Sequence, residues 1–527
     1  MDRTSDPTRV RELAFAVRES LQQGILEFLF TNAEAGTTME ERGFIGVVHS
    51  GQGVRRRTLH LRSIVTQEPG WVGEGADGLQ FSHLYFRRAL EVARADSSHA
   101  GLVVVHSHFG PSTAPQLRPS PSPPDLRTER DHLWTLARGL DDNSPVAAGI
   151  VAPNGAWRVR EYWWPQPTTP REARQRDFRS SGGHFKDVDF VKIVGPRRLR
   201  RVAGGPGTID PLSQSLDSTL RLWGSGGQRI LKQLRVGVAG AGGVGSYVVE
   251  ALARLGVGSL VLVDFDRLKV ENLNRAIGAR RTDVGQPKVS YVERLARESA
   301  TVDGLDILAF RASVAEWEGL RPLLDCDVIL AAADSPVARQ VLDHVSYAYQ
   351  IPVVDGGTIF VVNERTGRVT GKSQVSECAP EGPCLECQGV YNREEVTLAR
   401  ESPELQGPNP YVRVFGKEPT ETPRAPSVVS HNALVGSLMV QRLLRITLGF
   451  PPEEPGFQQR FYVELGEMKW GPKTACDAGC PKDQYSGLGD AHWVPVGVDT
   501  MWKRLREEEE HSSKAPPARK WRLHRKR

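Results

Sequence analysis

Cysteine is scarce in this chain: six residues in 527. So few thiols exclude a disulfide-stapled secreted scaffold, and four of them fall in two close pairs, which favours a reducing cytoplasm and a metal site. No stretch reaches the ~18 consecutive apolar residues of a membrane-crossing helix. The start, MDRTSDPTRVRELAF, lacks the apolar core of a signal peptide. The expectation is a cytoplasmic protein with no membrane partner. Charge of one sign is also missing. A formal net charge of +5 is too small for this length to argue for nucleic acid as a partner. No internal repeat is present.

What is there has the composition of a soluble protein, 39% hydrophobic and 25% charged, with room for two or three domains. The densest signal runs from Leu234 to Lys288. Val236, Val238 and Ala239 form a short apolar run, and Gly240, Gly242 and Gly245 give G-x-G-x-x-G at the turn after it. Ser246 to Leu255 reads as a helix ended by Gly256-Val257-Gly258, and Ser259 to Val263 as a second buried strand closed by Asp264. Such glycines let the backbone turn tightly and approach a phosphate, whose charge the helix N-terminus favours. Asp264 lies 19 residues after Gly245, where an acid at a strand end can hold a ribose hydroxyl. The glycines alone fit any dinucleotide or ATP site, or a tight turn without a ligand.

The residues that follow are more specific. Asp264-Phe265-Asp266, Glu271-Asn272-Leu273-Asn274-Arg275 and Gly285-Gln286-Pro287-Lys288 resemble the ThiF/MoeB and ubiquitin-activating family. Ala333-Asp334-Ser335 with Arg339 looks like that family's acidic strand end. The resemblance implies an enzyme that binds ATP and offsets charge while a carboxylate attacks the α-phosphate. By it, Asp264 holds the ribose, Arg275 and Lys288 contact phosphates, and Asp334 organises Mg²⁺. Asn272 and Asp266 shape the site. Leu220-Arg221-Leu222-Trp223-Gly224 resembles the segment before the glycine-rich strand in these enzymes, with Ser218 and Thr219 where the family carries Arg-Gln.

Upstream, Val10 to Leu29 has the spacing of an amphipathic helix. Gly43 to Ser50, Arg57 to Val65 and Leu102 to Val105 read as strands, with a helix over Leu84 to Ala95. The last strand ends in His106-Ser107-His108, two histidines on one face. Imidazoles so placed can begin a zinc site that leaves a position for water. H-x-H followed by Ser122 and Asp125 resembles the JAMM (MPN-type) metalloprotease signature. It implies His106, His108 and Asp125 as ligands and Ser122 beside the developing oxyanion. The base would be Glu40, in register before Gly43, with Glu41 one residue off. A zinc-bound water deprotonated there would attack a peptide or isopeptide carbonyl. The spacing departs from the family in the long FGPSTAPQLRPSP insertion.

Cys384-x-x-Cys387 and Cys476-x-x-x-Cys480 are two knuckles that together would make a structural zinc site with no open position. Relatives that pass the activated carboxylate to a thiol carry a cysteine after the first knuckle. This chain has none there and offers only Cys378 nearby, so the reaction stops at the acyl-adenylate, uses Cys378, or relies on a separate conjugating or sulfur-transfer protein. The cluster Arg197, Arg198, Arg200 and Arg201 reads as a solvated linker or a lure for an acidic partner.

The sequence therefore predicts an α/β chain. A JAMM-like α/β metalloprotease domain spans residues 1–165 and a linker 166–214. A Rossmann-like, doubly wound, mostly parallel ThiF-like domain spans 215–485, and a charged, disordered tail 486–527. The implied function is ATP-dependent adenylation of the C-terminal glycine of a ubiquitin-like or sulfur-carrier protein, coupled with zinc-dependent cleavage of the same carrier. The cofactors are ATP, Mg²⁺ and two Zn²⁺, one catalytic and one structural, in a homodimer. A non-catalytic adaptor and an NAD-dependent zinc oxidoreductase stand as alternatives.

Overall fold

The computed structural model describes residues 12–30, 41–75, 78–107, 119, 123–141, 143–163, 184–203, 214–363, 365–401, 426–450, 456–499, 502–507 and 509. Two sheets organise them. The first contains β1 (Glu12–Arg18), β2 (Gly43–Gln52), β3 (Arg56–Ile64), β6 (Gly101–Ser107), β7 (Val146–Val151), β8 (Trp157–Trp163), β9 (His184–Asp187), β10 (Phe190–Gly195) and β11 (Arg198–Ala203), with β4 (Val72–Gly75) and β5 (Gly78–Phe81) as a separate ribbon. Its order is β11-β10-β1-β3-β2-β6-β7-β8-β9. β1 pairs in parallel with both β3 and β10, and β6 with β7, while the β2–β3 and β2–β6 pairings are antiparallel.

Both faces of this sheet are covered. Helix Glu19–Phe30 packs Ile25 and Leu29 on one face, and helices His83–Asp96 and Pro123–Gly139 pack Tyr85, Phe86, Leu133 and Leu136 on the other. The single helix expected over Val10 to Leu29 is therefore wrong in its first half. Leu13 to Val17 are five consecutive buried residues. A helix buries one stripe, whereas a strand between two neighbours and two helical layers buries every residue.

The second sheet contains β12 (Arg235–Ala239), β13 (Ser259–Val263), β14 (Asp306–Phe310), β15 (Val328–Ala331), β16 (Val353–Val362), β17 (Val369–Cys378), β18 (Gln458–Tyr462) and β19 (Glu467–Trp470), in the order β14-β13-β12-β15-β16-β17-β18-β19. The pairs from β14 through β16 are parallel and those from β16 through β19 antiparallel, so the Rossmann-like half carries an antiparallel extension. Helices Gly243–Arg254, Lys288–Ser299 and Val429–Leu448 cover one face, and Trp317–Leu323 and Pro336–Ala348 the other. No helix among the described residues is long and apolar enough to cross a membrane.

Two stretches differ from the expected boundaries. Residues 184–203, assigned to a linker interrupted by one short strand at Val188 to Val194, supply three strands, β9, β10 and β11. Phe190 to Gly195 are all buried, and β10 extends the first sheet by pairing with β1. Residues 486–499, 502–507 and 509, assigned to a disordered tail, are in part packed: Val494 and Trp502 are buried. The remainder of the tail lies outside the described residues.

The two units meet at the tip of the β2–β3 hairpin and along its strands. Backbone amides of Arg55 and Arg56 donate to Asp325 (2.8 and 2.9 Å), and Arg62 Nη1 donates to the Ser486 carbonyl (2.7 Å). Asp325 and Asp327 immediately precede β15, so the first sheet docks at the N-terminal edge of the parallel strands.

Candidate functional site

The residues picked out for nucleotide chemistry gather at the opposite, C-terminal edge. There β12, β13 and β15 end side by side, the position where open α/β sheets hold ligands. Gly240 turns the chain at φ +102°, a conformation side chains rarely adopt. At Gly242 an added Cβ would meet nothing within 4 Å, so the outer side of the turn is open to a phosphate. Helix Gly243–Arg254 begins there, its first amides facing that space.

Asp264 ties the turn together. Its Oδ2 accepts from the Ala241 amide and its Oδ1 from the Asp266 amide, both at 2.7 Å. Burial pushes its carboxyl above the usual carboxylate range, with the neighbouring Lys288 opposing and Asp266 adding to the rise. Lys288, at the start of helix Lys288–Ser299, pairs with Asp266 Oδ2 at 2.6 Å. Burial works against its charge, but Asp264, Asp266 and Asp334 more than offset that, and its ammonium stays charged above the ordinary lysine range.

Arg275 approaches from the segment after β13, where its Nη1 donates to the Glu271 carbonyl (2.7 Å) and to Asn274 Oδ1 (3.0 Å). Asn272 Oδ1 accepts from the Lys269 amide (3.0 Å) and so shapes this loop. Asp334 stands exposed just past β15, one residue before Ser335, the N-cap of helix Pro336–Ala348. Arg339 is buried against Asp355 (3.0 Å).

One contributor was missed. Asn432 is buried at the start of helix Val429–Leu448 and packs over Gly243. The sequence marks that helix only as an amphipathic packing element, and nothing in its spacing announces a polar contact with the glycine turn.

The four knuckle cysteines come together as expected. Their sulfurs all lie within 4.8 Å of one another, with Cys384 Sγ and Cys480 Sγ 3.9 Å apart. Thiolates ~2.3 Å from a tetrahedral zinc sit about 3.8 Å apart, so the donors fit that ion. Amides of Cys384, Cys387 and Asp477 donate to Cys476, Cys384 and Cys387 sulfurs at 3.2–3.4 Å, the support a thiolate needs. Asp343 anchors the knuckles to helix Pro336–Ala348 by accepting from the Leu385 amide (3.0 Å) and pairing with Lys482 (3.2 Å).

Cys378 is not available for acyl transfer. It is fully buried, its thiol donates to Asp343 (3.1 Å), and burial pushes its pKa well above the thiol range. Cys326 is equally buried and raised by burial. Outside the tetrad the chain therefore has no exposed thiol.

In the first unit His106 lies buried at the end of β6, directly across from Gly43. The chain just before β2 runs beside it: the Ser107 amide donates to the Arg42 carbonyl (2.8 Å) and the Arg42 amide to Ser107 Oγ (2.9 Å). Glu129 is also near, 4.0 Å from His106 Nδ1, and pairs with Arg160. Asp125 falls in the first turn of helix Pro123–Gly139. Glu40, His108 and Ser122 lie outside the described residues.

Comparison with known proteins finds that residues 215–475 match the ThiF family. The Escherichia coli K12 molybdopterin-synthase adenylyltransferase is 31% identical over 163 residues, 31% of this chain and 61% of the relative. The SAMP-activating enzyme E1 of Haloferax volcanii is 30% identical over 167 residues, 31% of this chain and 56% of the relative. The sulfur carrier protein adenylyltransferase of Thermus thermophilus is 28% identical over 226 residues, 43% and 73% of the two chains. The chain thus spans about three-fifths of the length of the first two of these relatives. Among solved structures, E. coli MccB with ATP aligns at a TM-score of 0.38 and 17% identity over 52% of this chain and 75% of that one.

Proposed function

We propose, from the match of residues 215–475 to the ThiF family, that the chain activates a ubiquitin-like or sulfur-carrier protein by adenylating its C-terminal glycine. One observation carries the reading. Asp264, the glycine turn, Lys288 and Asp334 meet at the ends of three adjacent parallel strands. A nucleotide laid across them would place its phosphates on the turn and its ribose at Asp264. Lys288 and Arg275 would bind the phosphates and balance the charge that develops when the glycine carboxylate attacks the α-phosphate and pyrophosphate leaves. Asp334 would hold Mg²⁺, which when bound offsets phosphate charge. A nicotinamide enzyme has no use for this set of cations, and that reading falls behind.

With Cys326 and Cys378 buried, activation ends at the acyl-adenylate, and the thiol that receives the carrier belongs to another protein. The cysteine tetrad would hold one structural zinc. The first unit would hold a second zinc on His106, His108 and Asp125, with Glu40 as base and Ser122 at the oxyanion, and cleave the same carrier. Its support is the register that puts the chain before β2 beside His106. A homodimer is the form expected of such a domain.

The test is exchange of radiolabelled pyrophosphate into ATP, with a ubiquitin-like protein ending in glycine as acceptor. Exchange should depend on that protein and be lost in Asp334→Ala. Undiminished exchange in the variant would remove Asp334 from the site, and carrier binding without exchange would favour the adaptor reading.

A further inference from the structure

On the adenylation reading, strand order lays out the parts of a nucleotide along this edge. Phosphates belong at the turn after β12 and ribose at Asp264 after β13. β14 is the next strand on that side, so the base points toward the chain just past β14, residues 311–316. That ground is not open. The C-terminal segment, far away in sequence, runs along it.

The contacts are numerous and specific. The Gly497 amide donates to the Ala315 carbonyl (2.8 Å), and the Asp499 amide to Glu316 Oε1 (3.0 Å). The Ser313 hydroxyl donates to the Asp499 carboxylate. Trp502, 5% exposed, packs on Phe265 with ring centroids 5.7 Å apart, and Phe265 is the residue after Asp264. The guanidinium groups of Arg311 and Arg506 each lie 5.0 Å from the Trp502 ring. Glu509 accepts from Arg311 Nη2 and Arg267 Nε, both at 2.6 Å. Arg311 in turn donates to the Phe265 carbonyl (3.1 Å).

We propose that this segment builds the outer wall of the base subsite, with Trp502 holding Phe265 in place beside the base and Glu509 fixing Arg311 at its rim. The ligand is the purine ring of ATP. The inference rests on the adenylation reading and adds to it a base-positioning role for residues beyond the ThiF match, which stops at residue 475. Trp502 and Glu509 act through Phe265 and Arg311, so they are positioning residues. Without Trp502 the Phe265 ring loses its backing and the base loses a fixed apolar surface. Without the Glu509 carboxylate, Arg267 and Arg311 lose their shared anionic partner at the edge of the site. Neither change touches the glycine turn, Lys288 or Asp334, so phosphate binding is left intact.

The test measures equilibrium binding of ATP and of inorganic tripolyphosphate, each with Mg²⁺, to the full chain by calorimetry. Trp502→Ala should weaken ATP about tenfold, the scale of one aromatic contact to a base, and leave tripolyphosphate within about twofold. Trp502→Phe should restore most of the loss. Glu509→Gln, at a half-exposed position that leaves the core untouched, should weaken ATP about threefold with tripolyphosphate unchanged. Equal weakening of both ligands, or unchanged ATP affinity in both variants, overturns the inference while the adenylation reading stands. Wild-type protein that binds tripolyphosphate no less tightly than ATP also overturns it. Wild-type protein that binds neither removes the underlying reading and this inference with it.

Discussion

Replacing Asp327 by alanine should loosen the junction between the two sheets more than any surface change. Asp327 and Arg56 are both fully buried there, 2.7 Å apart between Oδ1 and Nη1. The second carboxylate oxygen accepts from the Arg235 amide (2.9 Å) and Arg201 Nη1 (3.2 Å). Arg56 keeps one other partner, Glu12 (2.7 Å), and rests on the Phe190 ring at 4.8 Å. Alanine thus removes the acceptor of three donors, one of them on the buried Arg56 guanidinium. Breaking a buried pair from one side costs ~3–5 kcal/mol, and because Glu12 remains we expect the low end, about 3. Urea unfolding at pH 7, followed by tryptophan fluorescence, would read it. Burial opposes the Asp327 charge, yet Arg56, Arg201 and Lys192 outweigh it and hold the carboxyl well below its usual range. A depressed acid contributes stability above the unfolded value, ~3.9, and loses it as pH falls toward the folded value. The deficit of the variant should therefore shrink below about pH 4. Replacing both partners with apolar groups, Arg56→Met with Asp327→Leu, should recover most of the loss. An Asp327→Ala protein within about 1 kcal/mol of wild type at pH 7 would refute the account of this junction.

Lys288→Gln should weaken ATP binding by about tenfold or more, as expected for losing a charged phosphate contact. It should also displace the pH profile of ATP affinity to higher pH. Lys288 opposes the burial that raises the Asp264 carboxyl, so without it Asp264 protonates at a higher pH and the ribose contact fails sooner. A profile unmoved by the substitution would separate the two residues. Zinc per chain, by elemental analysis, should fall by one equivalent in Cys384→Ser and by a different one in His106→Ala. Loss confined to the cysteine variant would leave the first unit without a metal.

Much of the candidate nucleotide site was legible because its parts are local. A glycine turn, the acid closing the next strand and the lysine opening the next helix lie within one short run of sequence, and strand order brings only Asp334 from a distance. The cysteine tetrad was legible for another reason: thiols are few, so pairing them leaves little choice. The misreadings have one physical origin. Leu13 to Val17 and the neighbourhood of Trp502 look like a helix face and a solvated tail when read alone, while the short strand legible at Val188 to Val194 gives no sign of the sheet it joins. Each is settled by a partner far along the chain: β10 beside β1, and Phe265 and Arg311 beside Trp502. The sequence names the residues but not the pairing, and the charged runs that surround Arg198 and Glu509 obscure the buried positions between them.

The placement of the two units bears on how two activities toward one carrier would combine. The hairpin tip at Gln52 meets the second unit, and His106 lies across from Gly43 at the other end of β2. Ten strand residues separate those ends, about 30 Å at 3.3–3.4 Å per residue. Asp327 marks the docking edge of the second sheet, and Asp334 lies beyond the far end of the same strand, a further ~13 Å along its four residues. Within one chain the two candidate sites thus lie at the ends of β2 and β15 that are remote from the buried Arg56–Asp327 junction. On the proposed reading, trimming or release of a carrier and its activation would then be separate encounters.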